Sequence, residues 1–229
     1  MRIIFKPVAM TLLLAAACTA YGAGGGEMPS RPMGGSSSPA PTPEDQALSS
    51  YNAGVRDVEK ADDLVADAAR QTDASRQAKG LGKAKDKYSR ALKEFTRATN
   101  LNASMYQAWN YVGYTNRKLG NYDAALTAYD HALRLKPDYA EAIEYRGHAY
   151  LGLNRLNEAK DAYLALFGGN RKLAAQLLTA MQAWVGDHRA NPAGVEGPAV
   201  EAFASWVSER SAIASQTASL TREGATARW

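Results

Sequence analysis

The chain of 229 residues holds one cysteine, Cys18, and three histidines. A single thiol closes no internal disulfide and supplies no thiolate cluster. Structural zinc usually takes four nitrogen or sulfur ligands, a set this inventory does not furnish. Glu141, Glu144 and His148 share one helix face, but His131 and His188 lie far off in sequence and no His-Glu-x-x-His occurs. No metal and no cofactor are expected. The sequence also lacks a Gly-x-Ser-x-Gly elbow and a phosphate-cradling Gly-Lys-Ser/Thr loop. No residue is therefore assigned a catalytic role, and the chain is not expected to be an enzyme. Beyond the N-terminal segment, no stretch approaches the roughly 20 apolar residues of a bilayer-spanning helix. Net charge is +4, of which Arg2 and Lys6 supply two, too little to imply nucleic acid.

Arg2 and Lys6 ahead of the apolar run Val8 to Cys18 have the form of an export signal over residues 1–21. Two ways of processing it stand open. Leu14-Ala15-Ala16-Ala17-Cys18 resembles the lipobox of bacterial lipoproteins, which implies lipidation of Cys18, although Ala15 stands where that motif prefers Leu. Ala20-Tyr21-Gly22 suits ordinary cleavage, which would remove Cys18 with the leader. Export places the folded part in the periplasm, or on a membrane facing it. Residues 22–43 are rich in Gly, Ser and Pro and are expected to be a flexible linker.

Self-similarity comes next. Residues 106–139 align without gaps on the segment from Ala140 onward, at an offset of 34. Ala108 falls on Ala142, Gly113 on Gly147, Ala125 on Ala159 and Tyr129 on Tyr163. Run backwards, the offset puts Tyr129 on Phe95 and Ala132 on Ala98. Trp109, Gly113, Gly120-Asn121-Tyr122, Ala125, Tyr129, Ala132 and Pro137 together resemble a tetratricopeptide repeat. The resemblance implies an all-α, right-handed α-solenoid of about three helical hairpins. It places Gly113 and Ala125, with Gly147 and Ala159, where the helices of a unit cross. Trp109, Tyr129 and Leu133 would fill the space around the Gly113–Ala125 crossing, with Tyr163 the repeat counterpart of Tyr129, and Pro137 would end a helix.

The expected divisions are an elongated hairpin over 44–105, repeats over 106–139 and 140–170, capping helices over 171–211 and a flexible tail over 212–229. Thr42-Pro43-Glu44-Asp45 is a helix start. Leu48, Tyr51, Val55, Val58 and Val65 suggest one apolar stripe to about Arg70. A second helix is expected from about Lys83, with Gly80 and Gly82 at the bend. Leu173, Leu177, Leu178, Met181, Trp184 and Val185, then Val200, Phe203, Trp206 and Val207, suit a helical cap.

Residues 44–69 carry seven acids and two bases, and residues 70–97 nine bases and three acids. Two antiparallel helices of opposite sign are expected to neutralise each other. In the family, the first helix of each unit lines a concave groove. Carried over, the resemblance implies a ligand-facing set of Gln107, Asn110, Tyr114, Arg117 and Lys118, then Glu141, Glu144, His148, Leu151 and Gly152. The function it implies is protein or peptide binding, as a scaffold in the bacterial envelope. The alternatives are an accessory subunit of an envelope enzyme and a membrane-surface protein using the basic helix 76–97.

Overall fold

The computed structural model describes residues 40–226 except residue 193, with side chains as far as residue 217. The expected leader, Cys18, most of the linker and the end of the tail lie outside the described residues. Among these residues there are eight helices and no strand: α1 Pro43–Arg70, α2 Ala74–Leu101, α3 Tyr106–Lys118, α4 Tyr122–Leu135, α5 Ala140–Gly152, α6 Leu156–Gly169, α7 Arg171–Ala190 and α8 Gly197–Thr226. Consecutive helices pair as hairpins, and the hairpins stack into a solenoid.

The first helices pack on one another, α3 on α5 and α5 on α7, while no comparable packing joins the second helices α2, α4 and α6. A stack whose first helices stand closer than its second helices curves toward the first. That curvature makes the α3–α5–α7 layer the inner one.

Local sequence sets the helix ends. Thr42 caps α1 by a capping box: its Oγ1 accepts from Asp45 N at 3.1 Å, and Asp45 accepts from Thr42 N at 3.1 Å. Gly120 and Asn154, one repeat apart, turn the chain between helices with φ of 87° and 58°. Left-handed backbone is easy for Gly and tolerable for Asn, so the substitution preserves the turn.

The repeat register is a packing register. A Cβ on Gly113 would stand 2.5 Å from the Tyr129 ring, and one on Gly54 would stand 2.7 Å from Phe95. Gly147 receives a different neighbour, Leu177 of α7, at 2.6 Å from such a Cβ. Ala125, Tyr129, Ala132 and Ala159 are fully buried, and Tyr163 nearly so. Trp109 is only half-buried; its ring stacks on His131 at 4.4 Å and its Nε1 donates to Ala103 O at 2.9 Å. Pro137 is exposed just past α4.

Three expectations need correction. Leu48 is 48% exposed, because α1 buries a line of small residues instead, Ala47, Ser50, Gly54, Val58 and Ala61. The bend before α2 is at residues 71–73, not at Gly80 and Gly82. Asp73 caps α2 by accepting from Arg76 N at 2.7 Å, and Gly80 sits within the helix, where a Cβ would come within 3.1 Å of Ala68. The last helix runs on to Thr226, beyond the short helix expected. Its Ser211 and Ser215 hydroxyls bond back to the carbonyls four residues earlier, which keeps these polar residues within the helical path.

The cap forms as expected. Leu177 and Met181 are fully buried and Leu178, Trp184, Val185, Val200, Phe203 and Val207 nearly so, while Leu173 and Trp206 are partly buried. Trp184 Nε1 donates to Leu151 O at 3.1 Å and to Asn154 Oδ1 at 3.2 Å, fixing α7 to the end of α5.

Candidate protein-binding groove

The inner layer is joined by a chain of polar and aromatic contacts. Asp62 of α1 is 6% exposed and stands at its centre. Its carboxylate accepts from Tyr114 Oη at 2.7 Å and from Tyr88 Oη, and Lys118 Nζ lies 3.3 Å away. The Arg117 guanidinium rests 5.2 Å from the Tyr114 ring centre and 5.6 Å from that of Tyr145. Glu144 of α5 acts on Arg117 and bonds His148 Nε2 at 2.7 Å. Asp62, Tyr114, Arg117, Glu144 and His148 thus run in sequence across three consecutive hairpins.

Burial sets the protonation of this layer. Desolvation, followed by the Asp62 carboxylate, pushes the Tyr114 and Tyr88 hydroxyls well above their ordinary range. Desolvation and then Glu144 do the same to Tyr145. Tyr51, buried and beside Tyr106, is raised to about 12. Lys118 is lowered, chiefly by desolvation, against the pull of Asp62.

A tyrosine whose folded pKa lies above its unfolded value contributes stability that is whole below the unfolded value, near 10, and is lost as pH rises from there through the folded value. Unfolding is therefore expected to set in above about pH 10, with helix loss and tyrosinate absorbance at 295 nm rising in one cooperative step. Tyrosines that titrate gradually at ordinary pKa while the helix signal persists would contradict this.

The structure brings the expected ligand-facing residues together but buries many of them. Tyr114 is 3% exposed, Asn110 2%, Glu144 2% and Leu151 5%. Gln107, Glu141 and His148 are half-buried, and Arg117 is half-buried with its Nε closed off from solvent. Lys118 reaches the surface at the end of α3. The picture of Tyr114 as an exposed gripping side chain is corrected: its ring is spent on Asp62, Tyr88 and Tyr145. Gly152 is likewise a seat for the Tyr122 ring, 2.4 Å from where a Cβ would stand. Glu144 and His148 pair with each other, and among the described residues no group of three His, Cys, Asp or Glu side chains is arranged to hold a metal ion.

Sequence reasoning missed Asp62, Tyr145 and the role of Tyr88. Asp62 carried a signal: it is an acid four residues after the buried Val58, on the inward side of α1.

Residues 113–154, from mid-α3 through α4 and α5 to the turn after it, match a family model described as TPR repeat. That stretch is similar to a TPR repeat. A curated relative, the uncharacterized protein ycf37 of Guillardia theta, is 32% identical over 84 residues, 34% of this chain and 47% of the relative. The chain thus spans about half the length of the curated relative it matches. A solved structure, the second TPR domain of the human RPAP3 protein in complex with an HSP70 peptide, is 25% identical. It covers 60% of this chain and 96% of its own, with a TM-score of 0.43.

Proposed function

We propose that this chain is a TPR-type, protein- or peptide-binding scaffold whose inner helical layer receives the partner. The observation that carries the reading is the polar network from Asp62 to His148. It joins three hairpins and leaves Gln107 and Glu141, on α3 and α5, partly open to solvent as the rim of this reading. Solenoids use such concave layers as extended binding surfaces. The buried Tyr114, Asn110 and Glu144 form the floor and hold its shape; the rim makes the contacts. Export by residues 1–21, with Cys18 as lipid attachment, places the scaffold in a bacterial envelope, a proposal supported by the basic start and apolar run alone.

The test is affinity recovery of partners from envelope extracts, comparing the parent chain with Gln107→Ala/Glu141→Ala. Loss of rim contacts is expected to weaken binding by about 2 kcal/mol, a hot-spot amount. The melting temperature should move little by comparison, since neither side chain belongs to the Asp62–His148 network and both keep part of their surface in solvent. A partner bound equally well by the rim variant would refute the inner-layer reading.

A further inference from the structure

The acidic and basic helices do not neutralise each other. Among the described residues, one ion pair crosses between them, Lys87 to Asp57 at 2.8 Å. The reason is rotational. Glu59, Asp63 and Asp67 lie on the side of α1 opposite its buried line, so they face away from α2, while Asp45, at the start of α1, lines a cleft with Arg97.

On α2, Arg76, Lys79, Lys83, Arg90, Lys93 and Arg97 fall within an arc of about 100° at 3.6 residues per turn. That arc lies opposite the buried Tyr88, Ala91 and Phe95. All six are exposed, and none forms an ion pair among the described residues. Asp86 and Glu94 are the two acids within the arc, Glu94 in line with Arg76, against these six cations. From Arg76 to Arg97 is 21 residues, so the stripe is about 31 Å long at 1.5 Å per residue.

We infer that this stripe docks on an anionic phospholipid surface. A straight row of cations on one helix face matches a plane of headgroups, and Glu59, Asp63 and Asp67 of α1 are turned from it. No aromatic side chain interleaves the stripe, as a stacking platform for single-stranded nucleic acid requires. Pro41, just ahead of α1, shares a cleft with Asp45, Glu94 and Arg97, so the start of α1 lies beside one end of the stripe. Where that chain is anchored at Cys18, as read above, the tether and the stripe address the same bilayer. Two weak signals of this kind make stable attachment where one does not.

The test uses the full chain carrying Cys18→Ser, which excludes lipidation. Its sedimentation is measured with vesicles of phosphatidylcholine alone and of phosphatidylcholine mixed with phosphatidylglycerol. The neutral vesicles register any contribution of the apolar leader, so the gain on adding the anionic lipid isolates the stripe. That gain is expected, falling steeply with salt. Lys79→Glu/Lys83→Glu/Arg90→Glu should reduce it at least roughly a hundredfold, about fivefold for each cation removed. Arg56→Glu/Arg134→Glu/Lys172→Glu, with the same change of net charge at exposed sites outside the stripe, should retain it. Equal loss in the two variants, no gain from anionic lipid, or displacement of the chain from vesicles by duplex DNA would overturn the inference. Circular dichroism checks the fold, and should the reversal variant unfold, Lys79→Gln/Lys83→Gln/Arg90→Gln decides by the same comparison.

Discussion

Gly113→Leu is expected to unfold the stack or leave it marginal. A Cβ alone would lie 2.5 Å from Cε1 and 2.6 Å from Cδ1 of Tyr129, a distance at which something must move. Tyr129 has no exposed surface, so its ring has nowhere to go without separating α3 from α4. Overpacking of this kind costs about 1–3 kcal/mol, occasionally more, and the full Leu side chain belongs at the upper end. Such a loss is a large part of the 5–15 kcal/mol that holds a typical domain folded. Gly82 supplies the contrast, since a Cβ there meets nothing within 4 Å. Gly82→Ala, inside an exposed stretch of α2, is expected to stabilise by about 0.5–1 kcal/mol through helix propensity. Thermal melts of the two variants moving in the same direction would contradict the crossing register.

Asp62→Ala is expected to cost about 3–5 kcal/mol, the amount typical of removing one partner from a buried charged network. It strands the Tyr88 and Tyr114 hydroxyls, both in residues no more than 3% exposed, and leaves Lys118 without its counter-charge. Each stranded buried hydroxyl carries a desolvation penalty of about 1–3 kcal/mol. Lys118, at the surface, can turn its ammonium to water. The loss should therefore be recovered largely by removing the stranded groups as well, with Asp62→Leu/Tyr88→Phe/Tyr114→Phe melting well above Asp62→Ala. Chemical denaturation that finds Asp62→Ala within about 0.5 kcal/mol of the parent would place Asp62 among ordinary surface acids and contradict the network.

The legible part of the fold was the part written by steric necessity. Gly113, Ala125, Tyr129 and their partners one repeat on recur because two helices cross there, and spacing alone exposes that pattern. The Thr42-Pro43 helix start was legible for the same local reason. The Leu48 stripe was misread because α1 packs through small residues, and Gly54 and Ala61 carry little apolar signal beside a leucine. The floor of the groove was misread because family position fixes which way a side chain points, not whether a neighbour covers it. Tyr114 points inward as the resemblance implied, yet Asp62, from 52 residues earlier, claims it. The long α1–α2 hairpin brings that acid there, and no local pattern around Tyr114 reports it. Charge compensation failed for a similar reason: opposite totals on two helices say nothing about the faces that carry them.

Photocrosslinking from the inner rim tests the binding account most directly. A photoreactive amino acid is placed at Gln107 or Glu141, and in parallel at the exposed Asp161 of α6 and Ser208 of α8. Adducts with one and the same partner from positions 107 and 141, and none from 161 and 208, are the predicted result. Adducts confined to 161 and 208 would contradict it, because the partner would then sit on the outer helices and the inner layer would serve only to hold the solenoid together.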